Sequence, residues 1–328
     1  MPEVRLQMVN EPTVISTFAG CGGSSLGYKW AGFRELLAID FDDNAVETFK
    51  LNFSEVPCWK RDIREVTGAE ILTACKIKSG DLDVLDGSPP CQGFSTAGKR
   101  KVLDPRNDLF REYVRLIKEL QPKVFVMENV SGMVKGTMKG RFIEIMQDLK
   151  STDYNVKAKL MNAKWYEVPQ SRERMIFIGV KDGEPNFPKP GRSVISVKEA
   201  LSGVENKTFL RPNEKYISDM QALKPGNNLS KIKKGSFYSY VKAPKNKPSM
   251  TITKSVSFGK ISMWHYEESR NITIEEAKRL CSFPDDFKMI GNYSTQWARI
   301  GNAVMPRFMY HIAKNIKENI LKENTRES

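Results

Sequence analysis

The chain has 328 residues, 40% hydrophobic and 28% charged, which is ordinary for a folded globular protein of one large domain or two unequal ones. No apolar run approaches the ~20 residues needed to cross a membrane. The N-terminal MPEVRLQMVNEP lacks the charged and apolar regions of a signal peptide, so a cytoplasmic protein is expected. A net charge of +13 favours a polyanionic partner. The five cysteines (Cys21, Cys58, Cys75, Cys91, Cys281) are widely spaced with no Cys-x-x-Cys, and the only histidines are His265 and His311. That pattern argues for free thiols in a reducing compartment and against a metal site.

In chain order, Val14–Phe18 reads as a strand running into FAGCGGSSLG, a glycine turn of the kind that lets backbone approach a ligand ahead of a helix. The spacing is not GxGxxG, which weighs against a plain NAD site. A second strand, Leu36–Asp40, ends about 20 residues on in a carboxylate suited to ribose hydroxyls. For Phe41, stacking on a base and packing in the core stand as alternatives. Asp62 and Ile63 follow, with a carboxylate suited to an exocyclic amino group, so a nucleoside-containing cofactor is expected. The strand Leu82–Asp86 leads into DGSPPCQGFS. Two prolines stiffen the backbone just before Cys91, whereas a structural cysteine would rather sit inside an apolar run.

Asp108–Leu120 has helical spacing, and Val124–Glu128 is a strand with a glutamate at its carboxyl end. In a partly apolar site such a carboxyl can hold a proton. VPQSRER enters the strand Met175–Val180 with Arg172 and Arg174 at i and i+2, on one face. The β-α alternation predicts a doubly wound, mainly parallel sheet, class α/β. PNFPKPG then marks a linker. From Met220 to Tyr266 there is no Asp or Glu but nine lysines, interleaved with Phe237, Tyr238 and Tyr240. That mixture suits phosphates and unstacked bases. Helical character returns at Thr273–Cys281 and at Arg307–Lys322, where Phe308, Ile312, Ile316 and Ile320 make an apolar stripe. Three parts are expected: 1–185, 186–262 and a C-terminal return, 263–328.

The ordered set FAGCGG, PPCQGFS, ENV, QSRER, ITIEEAKRLCSFPDDF and RIGNAV resembles that of short bacterial DNA (cytosine-5)-methyltransferases over nearly the whole length. The resemblance implies the S-adenosylmethionine-dependent methyltransferase fold with a small, mostly irregular/β target-recognition domain at 186–262, where the likeness is weakest. It implies Cys91 as the nucleophile that adds to C6 of a flipped-out cytosine, and Glu128 sharing a proton with N3. It places Arg174 on the ring carbonyl and Arg172 near the active-site loop and phosphate. S-adenosylmethionine, leaving as S-adenosylhomocysteine, would meet Phe18, Gly20, Gly22, Asp40, Phe41, Asp62, Ile63, Pro90, Leu109 and Asn302. Double-stranded DNA would meet Gln92, Ser95, Lys99, Arg106, Tyr238, Thr251 and Thr253, with Tyr238 and Tyr240 as candidates for base readout. A monomer paired in function with a restriction endonuclease is the further implication. The tRNA-methylating branch carries Cys-Phe-Thr in this region, and this chain has none.

Overall fold

The structure, a computed structural model, describes residues 11–90, 109–134, 139–208, 214–234, 240–254 and 263–322. Its frame, among these residues, is a seven-stranded sheet built from β1 (Thr13–Thr17), β2 (Arg34–Asp40), β3 (Cys58–Lys60), β4 (Val84–Gly87), β5 (Val124–Val130), β6 (Asn155–Asn162) and β7 (Glu173–Val180). The order is β3-β2-β1-β4-β5-β7-β6. The first five strands pair in parallel, and β7 lies antiparallel between β5 and β6. The chain therefore winds outward from β1 in one direction, returns to β4 beside it, and winds the other way. That leaves a crevice beyond the carboxyl ends of β1 and β4, where ligands bind in such sheets.

The helices are α1 (Gly23–Trp30), α2 (Asp43–Asn52), α3 (Gly68–Cys75), α4 (Leu109–Leu120), α5 (Lys139–Lys150), α6 (Val197–Leu201), α7 (Ile217–Ala222), α8 (Ile274–Leu280), α9 (Tyr293–Asn302) and α10 (Pro306–Ile316). Strand alternation sends successive side chains to opposite faces. Val124 and Val126 enter one core with α1 and α10, while Phe125 and Met127 enter the other with α4. On the first face α1 and α10 approach closely at Gly27, where a Cβ would stand 2.7 Å from both Met309 Cβ and the Pro306 carbonyl. The apolar stripe of the last segment is buried as expected, in α10 and the wider turn Lys317–Leu321 that continues it. Thr273 caps α8 in a reciprocal box with Glu276, which explains why helical character resumes there. No helix among the described residues is long and apolar enough to cross a membrane.

The basic middle carries a small core of its own. Tyr216, Met220, Leu223, Leu229 and Trp264 cluster with Tyr240, beside a two-stranded ribbon of β8 (Val241–Lys242) and β9 (Met263–Trp264). Packing joins elements across the expected boundaries. Val197 and Leu201 of α6 lie in the large core, and Trp264 completes the small one. Tyr240 stacks within this cluster, its ring 5.0 Å from Tyr216 and 6.0 Å from Trp264, so it is a packing residue rather than a base reader. Lys233 is paired with Asp219 at 2.7 Å, while Lys231 and Lys234 face solvent. Tyr238 lies outside the described residues.

Candidate active site

The glycine turn after β1 is held by its own backbone and by Asp40. Phe18, Gly20 and Gly22 all have positive φ (54°, 58° and 92°), and Gly22 hands the chain to α1. Asp40 Oδ2 accepts a hydrogen bond from Gly20 N at 2.8 Å, and its Oδ1 accepts one from Asp42 N at 2.9 Å. Two glycines are there for close approach. A Cβ on Gly22 would strike the Phe53 ring at 2.3 Å, and one on Gly23 the Val304 carbonyl at 2.1 Å. Gly20 is different: none of the described residues lies within 4 Å of where its Cβ would be, so among them this turn faces open space. Burial pushes the Asp40 carboxyl up from its usual range.

Around that opening the structure gathers most of the residues expected to meet a nucleoside. Phe41 is 67% exposed at the end of β2, which excludes its core-packing reading. Phe18, Ile63 and Leu109 belong to one apolar cluster. Asp62 caps the short turn Ile63–Glu65 and is paired with Arg64 at 2.5 Å, which holds its carboxyl below the usual range. Asn302 is exposed at the end of α9, two residues before the Val304 carbonyl that touches Gly23. Arg299, one turn earlier, reaches Asp42 at 2.9 Å and ties the C-terminal return to the start of the second helix. The sequence reading passed over Arg299, though it opens RIGNAV.

On the next strands, β4 and β5 are parallel neighbours, Gly87 opposite Met127, which sets Glu128 beside the Ser88-Pro89-Pro90 turn. Pro90 is half-buried. Asn129, also passed over, donates from Nδ2 to the Pro89 carbonyl at 3.2 Å and so fixes the turn from the neighbouring strand. Glu128 is 9% exposed, and its Oε1 stands 2.5 Å from Arg174 Nε as an ion pair. The angles of that contact are not those of a hydrogen bond, and Oε1 has no hydrogen-bond partner among the described residues. Cys91 itself, with Gln92, Ser95, Lys99 and Arg106, lies outside the described residues. The other four cysteines lack the character of a nucleophile. Burial pushes the thiols of Cys21 and Cys58 up to about 12 and Cys75 up to about 11, and raises Cys281 as well.

Arg172 is placed differently from a residue that meets phosphate. Only 2% exposed, it donates to the carbonyls of Ile252 (2.6 Å), Gly301 (2.8 Å) and Ala303 (3.4 Å). It thereby clamps the segment leaving the basic region and the C-terminal return onto the sheet. Gln170, fully buried, does the same work, accepting from Ile252 N and donating to Leu280 O and Cys281 Sγ. Thr251, exposed, donates to Ser171 O, and the Thr253 carbonyl accepts from Trp297 Nε1.

The family model for C-5 cytosine-specific DNA methylases matches residues 12–318. The type II methyltransferase M1.HphI of Haemophilus parahaemolyticus is 35% identical over 96% of this chain and 88% of its own. M.DdeI of Desulfomicrobium norvegicum is 32% identical over 94% and 89%. Among solved structures, a prophage-encoded DNA modification methyltransferase from E. coli superposes with a TM-score of 0.78 at 25% identity, covering 94% of this chain and 99% of that one. Spodoptera frugiperda DNMT2, a triple mutant, shares the fold at a TM-score of 0.67 and 19% identity, with the same coverage.

Proposed function

The chain belongs to the C-5 cytosine-specific DNA methylase family, and we propose that it methylates C5 of a flipped-out cytosine in a specific double-stranded DNA sequence, with S-adenosylmethionine as donor and Cys91 as nucleophile. The observation that carries this reading is the junction of β4 and β5. The Glu128–Arg174 pair, on one strand and its neighbour, borders the Pro-Pro turn that delivers Cys91, beside the open glycine turn of β1.

The residues present fit the cofactor. Open space at Gly20, the exposed ring of Phe41 and the apolar cluster of Phe18, Ile63 and Leu109 make a cradle with Asp40 at its ribose end. Asp62, Pro90, Gly22 and Asn302 complete its rim. Bound there, S-adenosylmethionine supplies an electrophilic sulfonium methyl. C5 of cytosine is a poor nucleophile until C6 is attacked. The Cys91 thiolate forms the S–C6 bond, Glu128 gives a proton to N3, and Arg174 donates to the ring carbonyl. C5, now the carbon of an enamine, takes the methyl. Loss of the C5 proton then expels the thiolate, and Glu128 recovers its proton. The base must leave the duplex to reach a thiol at a sheet edge. Exposed Thr251 and Thr253, close to the clamp at Arg172, and the lysines of the middle region supply contacts to the backbone.

Methylation also suits protection of DNA from a cognate endonuclease, a reading supported by relatives named as type II methyltransferases. The test is digestion of treated substrates to nucleosides followed by mass spectrometry. Duplex DNA should gain 5-methylcytosine and tRNA should gain nothing. N4-methylcytosine, N6-methyladenine, or methyl found in tRNA alone would overturn the reading.

A further inference from the structure

Asp86 lies inside β4, five residues before Cys91, and is 2% exposed. In register it stands between Ser16 of β1 and Val126 of β5. Its side chain shares the sheet face of Val126, Glu128 and α1. From α1 the Tyr28 hydroxyl donates to Asp86 Oδ1 at 3.3 Å. The Ser24 hydroxyl, one residue past the start of that helix, faces the same carboxyl. The backbone is gripped too: the Asp86 carbonyl accepts from Thr17 Oγ1 at 3.0 Å. At Gly87 a Cβ would meet the Tyr113 ring at 2.4 Å and Thr17 Oγ1 at 2.7 Å. Asp86 is thus the point where the helix of the glycine turn is fastened to the strand that ends in the Pro-Pro turn.

The acidic groups that face it come from every side. Glu35 of β2 and Glu128 of β5 are on the same face, with Tyr28 on α1, while Tyr113 of α4 packs on the opposite face of the sheet. Among the described residues no lysine or arginine is paired with it. A buried carboxylate without a cation is costly, and a proton removes the cost.

We propose that Asp86 is a positioning residue for methyl transfer, which locks the cofactor helix to the thiol strand through Tyr28 and Ser24 while it carries a proton. The proposal rests on the assignment of the cofactor cradle and Cys91 given above. Burial, with the charges of Glu35 and Glu128 added, pushes the Asp86 carboxyl up to about 8 despite the pull of the two hydroxyls. Ionisation therefore falls just above neutrality, after that of Glu35, whose carboxyl burial pushes up to about 7, and adds a negative charge beside Glu35 and Glu128.

Asp86→Asn keeps the shape and removes the titration. The experiment measures S-adenosylmethionine affinity by calorimetry and thermal unfolding without ligand, between about pH 5 and 9, for wild type, Asp86→Asn and Tyr28→Phe. Wild-type affinity should fall several-fold as pH passes about 8, and the Asn variant, in which Glu35 still titrates near 7, should lack the fall at about 8. Tyr28→Phe should weaken binding at every pH. The folded carboxyl is raised above its ordinary 3.8, so the group's contribution to stability, full below about 4, is lost progressively as pH climbs through about 8. Asp86→Asn should accordingly gain in Tm on wild type across that window. Superimposable wild-type and Asn profiles in both measurements would overturn the proposal, as would an Asn variant that folds but binds no cofactor at neutral pH. Wild type that binds none at any pH would instead sink the cofactor assignment, and the unfolding comparison, which needs no ligand, would still decide whether Asp86 holds its proton.

Discussion

At Asp40 one carboxylate combines an observed task with a proposed one. Its oxygens each accept from a backbone N–H, one in the glycine turn and one at the start of the second helix, and each keeps a lone pair for a ribose hydroxyl. Asp40→Ala should therefore cost more than a ligand contact, because the turn at Gly20 loses its anchor as well. Hydrogen bonds to a charged acceptor contribute about 1.5–3 kcal/mol, so the S-adenosylmethionine Kd should rise at least about tenfold in calorimetry. Unchanged affinity would mean that the ribose is held elsewhere. The ribose role is proposed from the sequence, because a carboxylate ending the second strand is placed for that use in this topology. The anchoring role was not legible there, since nothing in the spacing of Gly20 and Asp40 says that a side chain and an amide 20 residues apart will meet. Arg299 and Asn129 were hidden for the same reason: each acts on a partner from a distant strand or turn.

Among elements, the strands that were legible are those buried on both faces. β1, β2, β4, β5 and β7 read as apolar runs because both sides of the sheet are covered. β6 escaped notice because it is an edge strand whose lysines at 157 and 159 face away from the core, and β3 because three residues carry no period. The antiparallel direction of β7 is equally silent in a run buried on both sides. The clamp at Gln170 and Arg172 is an element-scale device, joining the entry to β7 with two later segments of chain. Replacing Arg172 by Met leaves two buried carbonyls and a part-buried one without that donor, a loss of about 3 kcal/mol. Thermal unfolding should show a Tm about 5 °C lower or more, with methylation per folded molecule at low temperature largely kept. An unchanged Tm with a raised KM for DNA would return Arg172 to the phosphate role.

For the whole molecule, charge and topology divide the labour. The parallel sheet presents the glycine turn, the Pro-Pro turn and Glu128 along one edge, and the basic middle region brings lysines without a compensating carboxylate between Met220 and Tyr266. That division was visible in composition alone, whereas the small aromatic core that turned Tyr240 inward was not, because alternating lysines and tyrosines look alike whether they pack or protrude. Attack of the Cys91 thiol on the base is the step on which the proposed function turns. It is tested most directly by mixing the enzyme and S-adenosylmethionine with duplex DNA carrying 5-fluorocytosine, where the C5 substituent cannot leave as a proton. Wild type should form a complex that survives denaturation and maps by peptide mass spectrometry to Cys91, and Cys91→Ser should form none while still binding the DNA. A serine variant that turns over near the wild-type rate, or a covalent bond mapped to another residue, would contradict the account.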